Sequence, residues 1–250
     1  MEKDVLKIDN LTKRFGDIIA VDNLRLGVKK GEVYGFLGPN GAGKTTTLRC
    51  CCGLLKMDGG FIGVCNERVS LDSIEFRKKM AFIPDRPYLY EKLTAWEYLT
   101  FVCEVRKLKG WEKEADYYFE YLELSDGKYR LIEGFSHGMK QKLVIISSIL
   151  HKPELLLIDE PMVGLDPKSS RKVKELIKKL SSEGCGVVLS THSLDVAEEL
   201  SSKIGIINKG KLVAEGTLND LRKMAKGEGN DLEEIFLRIT EEEFEEQKSL

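Results

Sequence analysis

No stretch of this 250-residue chain reaches the roughly 18 consecutive apolar residues that a membrane-spanning helix requires, and its first ten residues, MEKDVLKIDN, hold no apolar core of signal-peptide length. Both absences point to a cytoplasmic protein. An excess of charge of one sign is also missing: 39 Lys and Arg face 41 Asp and Glu, a net charge of -2. That balance gives no global attraction to nucleic acid or to acidic membranes, so no nucleic-acid partner is expected. Internal repeats, low-complexity tracts and long linkers are absent as well, which suits one domain. Cysteine is sparse, with three of the six consecutive at Cys50, Cys51 and Cys52. On a helix adjacent side chains diverge and cannot close one metal site, so these read as reduced, small apolar residues.

What is present is 42% hydrophobic content, enough to fill a sizeable core. Residues 4 to 37 read as several short strands with polar turns, ending in EVYGFLG. A helix follows through TTTLRCCCGLL, then Gly-rich turns with a short strand in KMDGGFIGVCNERV, and a further strand in KMAFIP. From Thr94 to Lys152 the spacing turns helical in TAWEYLTFVCEVRKL, WEKEADYYFEYLEL and GMKQKLVIISSILHK, which predicts an inserted helical segment of some sixty residues. Strands return in ELLLIDEP, GVVLSTHS and KIGIINKGKLVAEG, with the helix SSRKVKELIKKLSS between the first two. The unbroken apolar runs of those first two predict strands buried on both faces, hence a parallel sheet. The tail from Leu218 reads as helical and charged, with its last ten residues a solvated or frayed end.

Gly38, Gly43, Lys44 and Thr45 fit G-x-x-x-x-G-K-[ST] between a predicted strand and a predicted helix. The loop Gly38, Pro39, Asn40, Gly41, Ala42, Gly43, Lys44, Thr45, Thr46 would close its backbone N–H groups around phosphates. Lys44 would reach the β- and γ-phosphates, and the Thr45 hydroxyl would sit on Mg²⁺. In LLLIDEP, a buried strand delivers Asp159 and Glu160 at its C-terminal end, where open parallel sheets bind ligands. An acidic pair at a strand end is by itself a solvated loop start; the phosphate loop reverses that reading. Asp159 would hold the metal through water, and Glu160 would orient or deprotonate the attacking water. His192, at the end of VVLSTH, would emerge at the same sheet edge, within reach of the γ-phosphate or the water.

A guanine-reading N/T-K-x-D loop is not found: NKGK at 208 to 211 ends in lysine. Taken together, the motifs resemble those of the ATP-binding cassette (ABC) ATPases, and the resemblance covers almost the whole chain. FSHGMKQKL stands for the signature, LLLIDEP for Walker B, VGLDP for the D-loop and THS for the histidine switch, in the family's order and spacing. The resemblance implies an α/β fold: a P-loop NTPase core with a mostly parallel sheet, an N-terminal antiparallel β-subdomain and an inserted α-helical subdomain. It also implies a nucleotide-binding domain over 1–220, the helical subdomain at about 94–152, and a short helical tail over 221–250. ATP and Mg²⁺ are the implied cofactors.

Read alone, GFSHGMKQKL would be a capped helix with an anion-binding N-terminus. The resemblance explains why a second phosphate site stands a hundred residues from the first. Two copies would meet head to tail, with Ser136, Gly138 and the helix that begins near Met139 covering ATP held by the partner's phosphate loop. Asp166 of GLDP would signal across that seam. Phe15, in TKRFGD, falls where the family stacks an aromatic on adenine; from the residues alone it is a packed strand aromatic.

Two positions depart from the family. His137 takes a signature position where glycine is usual, and Asp85 follows Pro84 where the family has glutamine. A carboxylate near triphosphate is repelled unless a cation lies between them, so Asp85 either binds metal through water or points away. The resemblance further implies a separate polytopic permease docked near RPYLYEKLTAWEYLTF (86 to 101). The short C-terminus resembles that of the drug, antibiotic and polysaccharide exporter branch, peripheral on the cytoplasmic membrane face. The alternatives are a soluble non-transport ABC ATPase, such as an iron–sulfur assembly type, and an ATP-dependent dimerisation module.

Overall fold

Three runs, VYGFL, LLLID and GVVLST, are buried at every residue, and they form the middle of the sheet. They belong to a computed structural model that describes residues 4–224 and Phe236. In chain order the described elements are β1 (Asp4–Phe15), β2 (Ile18–Lys29), β3 (Val33–Leu37), α1 (Lys44–Cys51), β4 (Gly59–Val64), β5 (Glu67–Arg68), α2 (Glu75–Lys78) and β6 (Met80–Ile83). Then come α3 (Ala95–Val105), α4 (Glu112–Tyr121), α5 (His137–Ile149), β7 (Leu155–Asp159), α6 (Pro167–Ser182), β8 (Gly186–Thr191), α7 (Leu194–Leu200), β9 (Lys203–Asn208), β10 (Lys211–Gly216) and α8 (Leu218–Met224). The tail expected beyond α8, with its charged last ten residues, lies outside the described residues.

The larger sheet runs β10-β9-β3-β8-β7-β6, parallel except for β10. Because side chains alternate faces along a strand, each central strand feeds two cores. Leu156, Ile158, Val187 and Leu189 join the helices α3 to α6 in one apolar cluster. Leu155, Leu157, Val188, Tyr34 and Phe36 join β1, β2, β4 and α1 in the other. The helical segment between β6 and β7 therefore shares one continuous core with the sheet.

The smaller sheet, β2-β1-β4-β5, is antiparallel. Here the structure corrects the expectation of several short strands: residues 4 to 29 form two 12-residue strands. Polar residues that looked like turns are carried through as register shifts, with Asn10 and Asn23 at φ 52° and 50°; the real turn is at Gly16, φ 58°. Such bulges keep a strand paired while its alternation breaks.

Cys50 and Cys51 end α1 and Cys52 caps it, all buried; the six cysteines are free. Burial pushes every one of these thiols up, Cys50 to about 11, so none is a nucleophile at neutral pH. Among the described residues no helix is long and apolar enough to cross a membrane.

α3 starts with a reciprocal cap: Glu97 N–H donates to Thr94 Oγ1 at 3.2 Å, and Thr94 N–H donates to Glu97 Oε2 at 2.8 Å. Thr94→Ala removes the acceptor and leaves the Glu97 N–H to water. Chemical denaturation should show a loss of about 1 kcal/mol with an unchanged m value, the usual size for a lost cap.

Candidate functional site

Parallel register decides which residues meet. Leu37 lies beside Thr191, Asp159 beside Ser190, and Ile83 beside Ile158, so β3, β8, β7 and β6 end at one edge. Gly38, His192 and Glu160 follow three of these ends directly, and Asp85 follows the fourth after Pro84. All four sequence-selected segments are therefore delivered to one place, the carboxyl edge of an open sheet.

After β3 the chain turns tightly into α1. Gly43 has φ 109° and Gly41 φ 81°, values that glycine reaches without strain. A Cβ on Gly43 would collide with the Ala20 carbonyl oxygen, and one on Gly38 with the Ile207 carbonyl oxygen. The backbone cradle is thus one that only glycine can build. Gly43 caps α1 without a side-chain acceptor, so the first N–H groups of the helix face outward unpaired by a cap, as an anion site needs. Asn40, Gly41, Gly43, Lys44, Thr45 and Thr46 line a cavity of about 210 Å³ together with Ala20, Asp85, Asp159 and Glu160. Gly38, Pro39 and Ala42 support the loop from outside that lining: Lys44 Nζ donates to Gly38 O at 2.5 Å and Pro39 O at 2.9 Å, and Ala42 O accepts from Gly210 N–H at 2.9 Å. Desolvation lowers the Lys44 ammonium pKa, against the fields of Glu160 and Asp159.

On the acidic side Asp159, 1% exposed, accepts from Thr45 Oγ1 at 2.6 Å and from Ser190 Oγ at 2.8 Å. Its carboxyl pKa is raised, first by desolvation and further by Asp85 and Glu160; the two hydroxyls oppose the shift. Glu160 sits at φ 49°, a left-handed conformation costly for a residue with a side chain. Its N–H donates to Ser190 O at 2.9 Å; its carboxylate accepts from His192 N–H at 3.1 Å and Thr191 Oγ1 at 3.3 Å, and meets His192 Nδ1 at 2.8 Å. His192 thus contacts the Glu160 carboxylate through both its backbone and its ring.

The donor set suits phosphate bound with a hard cation. Among the described residues no three His, Cys, Asp or Glu side chains converge to hold a metal by themselves. One hydroxyl and carboxylates in a row fit a cation that completes its shell with phosphate oxygens and water. Asp85 is among the residues that line this cavity.

Other expected residues stand apart. None of Phe15, Ser136, Gly138, Met139 and Asp166 lines the cavity. Phe15, at the end of β1, is 49% exposed with Lys13 Nζ 5.1 Å from its ring centre. α5 begins at His137, two residues before the expected start near Met139, because Ser136 is its N-cap and accepts from Met139 N–H at 3.2 Å. The Met139 side chain packs on the apolar cluster of its own subunit. Asp166 caps α6, accepting from Ser169 N–H at 3.0 Å and from its hydroxyl, and these bonds hold its carboxyl low, at about 2. Sequence reasoning missed Ser190, Thr191 and Ala20. The polar pair preceding His192 in VVLSTHS was the available signal for the first two.

A glycine phosphate cradle before α1, with acidic residues at the neighbouring strand ends, defines a P-loop nucleotide hydrolase. The comparisons then narrow the class. The family model described as ABC transporter matches residues 21–163. The linearmycin resistance ATP-binding protein LnrL of Bacillus subtilis is 38% identical over 219 residues, 87% of this chain and 70% of LnrL. The solved ATP-binding subunit of an ABC transporter superposes with a TM-score of 0.90 at 31% identity, covering 94% of this chain and 99% of that one. A dimeric post-hydrolysis ATP-binding cassette bound to ADP and Pi gives a TM-score of 0.77 at 29% identity, covering 85% and 98%. The chain belongs to the ABC transporter family, as an ATP-binding subunit with ATPase activity.

The buried carboxylate gives a stability prediction. Asp159 titrates higher in the folded state than unfolded, so its ionised form opposes folding at every pH above the raised value. Below the unfolded value of 3.8 the penalty is gone. Asp159→Asn should therefore raise the melting temperature of the nucleotide-free protein at pH 7.5 by a few degrees, and the advantage should shrink as pH falls towards 4. A pH series of thermal melts measures both.

Proposed function

We propose that two copies of this chain close head to tail around two ATP molecules and power export through a separate polytopic permease. One observation carries the reading: the cavity is furnished on one side only. It has a phosphate cradle, a lysine and carboxylates, while the helix start at Ser136 and Gly138 lines none of it. A second copy supplies the missing wall.

In this reading the loop from Gly38 to Thr46 and Lys44 hold the triphosphate, Phe15 stacks on the base, and Ser136, Gly138 and the helix start near Met139 meet the partner's γ-phosphate. Thr45, Asp159 and Asp85 hold Mg²⁺, which when bound neutralises phosphate charge and orients it. Glu160 orients and deprotonates the attacking water, and His192 holds Glu160 in place for that task. Asp166, fixed at the start of α6, presents the 163–166 turn to the partner. Residues 94–152 act as the helical subdomain that carries the signature within a 1–220 domain.

A groove of about 540 Å³ between α1, β6, α3 and α5 receives the permease, on the cytoplasmic face of the membrane. Arg49, Leu54, Phe82, Tyr88, Tyr98 and Arg106 are among its walls, and Tyr88 is 82% exposed. The export direction follows the resistance function in the name of LnrL.

Glu160→Gln keeps the shape of the side chain and removes the base. With saturating Mg-ATP this variant should double its mass in light scattering, and lose the dimer on removal of ATP; a persistent monomer would contradict the proposal. For Asp85, the Mg²⁺ concentration giving half-maximal ATPase should rise about tenfold in Asp85→Ala and less in Asp85→Gln, whose amide oxygen still accepts from a metal-bound water. Equal Mg²⁺ dependence in both variants and the parent would remove Asp85 from the metal site.

A further inference from the structure

The start of the signature helix and the turn before α6 interlock within one subunit. Gly164 has φ 77°, and a Cβ there would collide with His137 Cδ2 and stand 3.0 Å from Nε2. The imidazole ring therefore fills the place where a side chain at 164 would be. The next residue completes the grip: a Cβ on Gly138 would lie 2.7 Å from Gly164 O and 3.8 Å from Leu165 Cδ2. One turn further along α5, Lys142 lies close enough for its charge to help hold the Asp166 carboxyl low.

The turn leads back to the ATP cavity by a short hydrogen-bonded path. Val163 N–H donates to Glu160 O at 3.2 Å, and Leu165 N–H to Met162 O at 3.3 Å; Asp166 then caps α6. Only three residues separate Glu160, which lines this subunit's cavity, from Gly164 under the ring. On the other side of the ring, His137 is the residue next to Ser136.

We infer that His137 is a positioning residue that couples the two ATP sites of the dimer. Its ring, seated on Gly164, ties the turn that begins at Glu160 to Ser136, which in the proposed dimer faces the other site's nucleotide; the inference rests on that dimer. A movement of Glu160 in one site then shifts the signature serine in the other. With glycine at 137 the ring contact would be lost and only the approach of Gly138 to Gly164 O would remain, so the turn and the helix would be less firmly tied. The contact is made by a flat ring against a glycine, so ring shape carries it and the ring nitrogens are dispensable.

The test is the ATP dependence of hydrolysis in the parent, His137→Ala, His137→Phe and Gly164→Ala proteins, beside fluorescent-nucleotide binding to the dilute monomers. The parent should show a Hill coefficient between about 1.5 and 2, the ceiling for two sites. His137→Ala should fall to about 1 with a maximal rate lower by roughly tenfold, while monomer nucleotide affinity stays within about twofold. His137→Phe should restore the cooperativity, and Gly164→Ala, whose Cβ evicts the ring, should behave as His137→Ala. Retained cooperativity in His137→Ala, a Hill coefficient near 1 in the parent, or a Phe variant as impaired as Ala would each overturn the inference. The dimer reading is judged separately: if Glu160→Gln dimerises with Mg-ATP while His137→Ala stays cooperative, the coupling role alone is lost.

Discussion

Asp159 is a carboxylate almost wholly withdrawn from water, held by the hydroxyls of Thr45 and Ser190 and pressed by the neighbouring charges of Asp85 and Glu160. Burying such a group is tolerated only where donors or a cation meet it. The two hydroxyls come from two separate segments, the start of α1 and the end of β8. That one carboxylate thus joins the phosphate cradle to the strands that carry Glu160 and His192. The cost it imposes on the nucleotide-free fold is the counterpart of the site's appetite for a cation with phosphate, an instance of stability given up where binding needs it.

Around that centre the subunit is built as half of a machine. The cradle and carboxylates meet in one cavity, whereas the helix start at Ser136 lies outside it. Its serine is engaged in capping α5 and its neighbouring aspartate in capping α6. These caps hold the helix starts in fixed conformations before any partner arrives. Preorganisation of that kind spares the ordering cost at the moment of association.

The sheet core and the phosphate cradle were readable in the sequence because each rests on local rules. Unbroken apolar runs specify strands buried on both faces, and Gly38, Gly43 and Lys44 must have their spacing for the loop to close. The length of β1 and β2 was not readable, because the bulges at Asn10 and Asn23 interrupt the alternation while pairing continues across them. Nor was the support given to Asp159 by Ser190, since it depends on the register of β7 against β8, and register is a property of two strands together. The grip of His137 on Gly164 joins residues 27 apart, and no local pattern announces it. Spacing places residues on elements; only packing says which of them meet.

The central claim is that Ser136 of one subunit closes the ATP site of another. All six native cysteines are buried with thiol pKa values pushed up, so a cysteine introduced at position 136 is the one readily labelled thiol among the described residues. The measurement is the labelling rate of Ser136→Cys in the Glu160→Gln background with Mg-ATP, over a range of protein concentrations. The account predicts protection that grows with protein concentration and disappears on dilution or on removal of ATP. Protection independent of concentration, or labelling that ATP leaves unchanged, would contradict it.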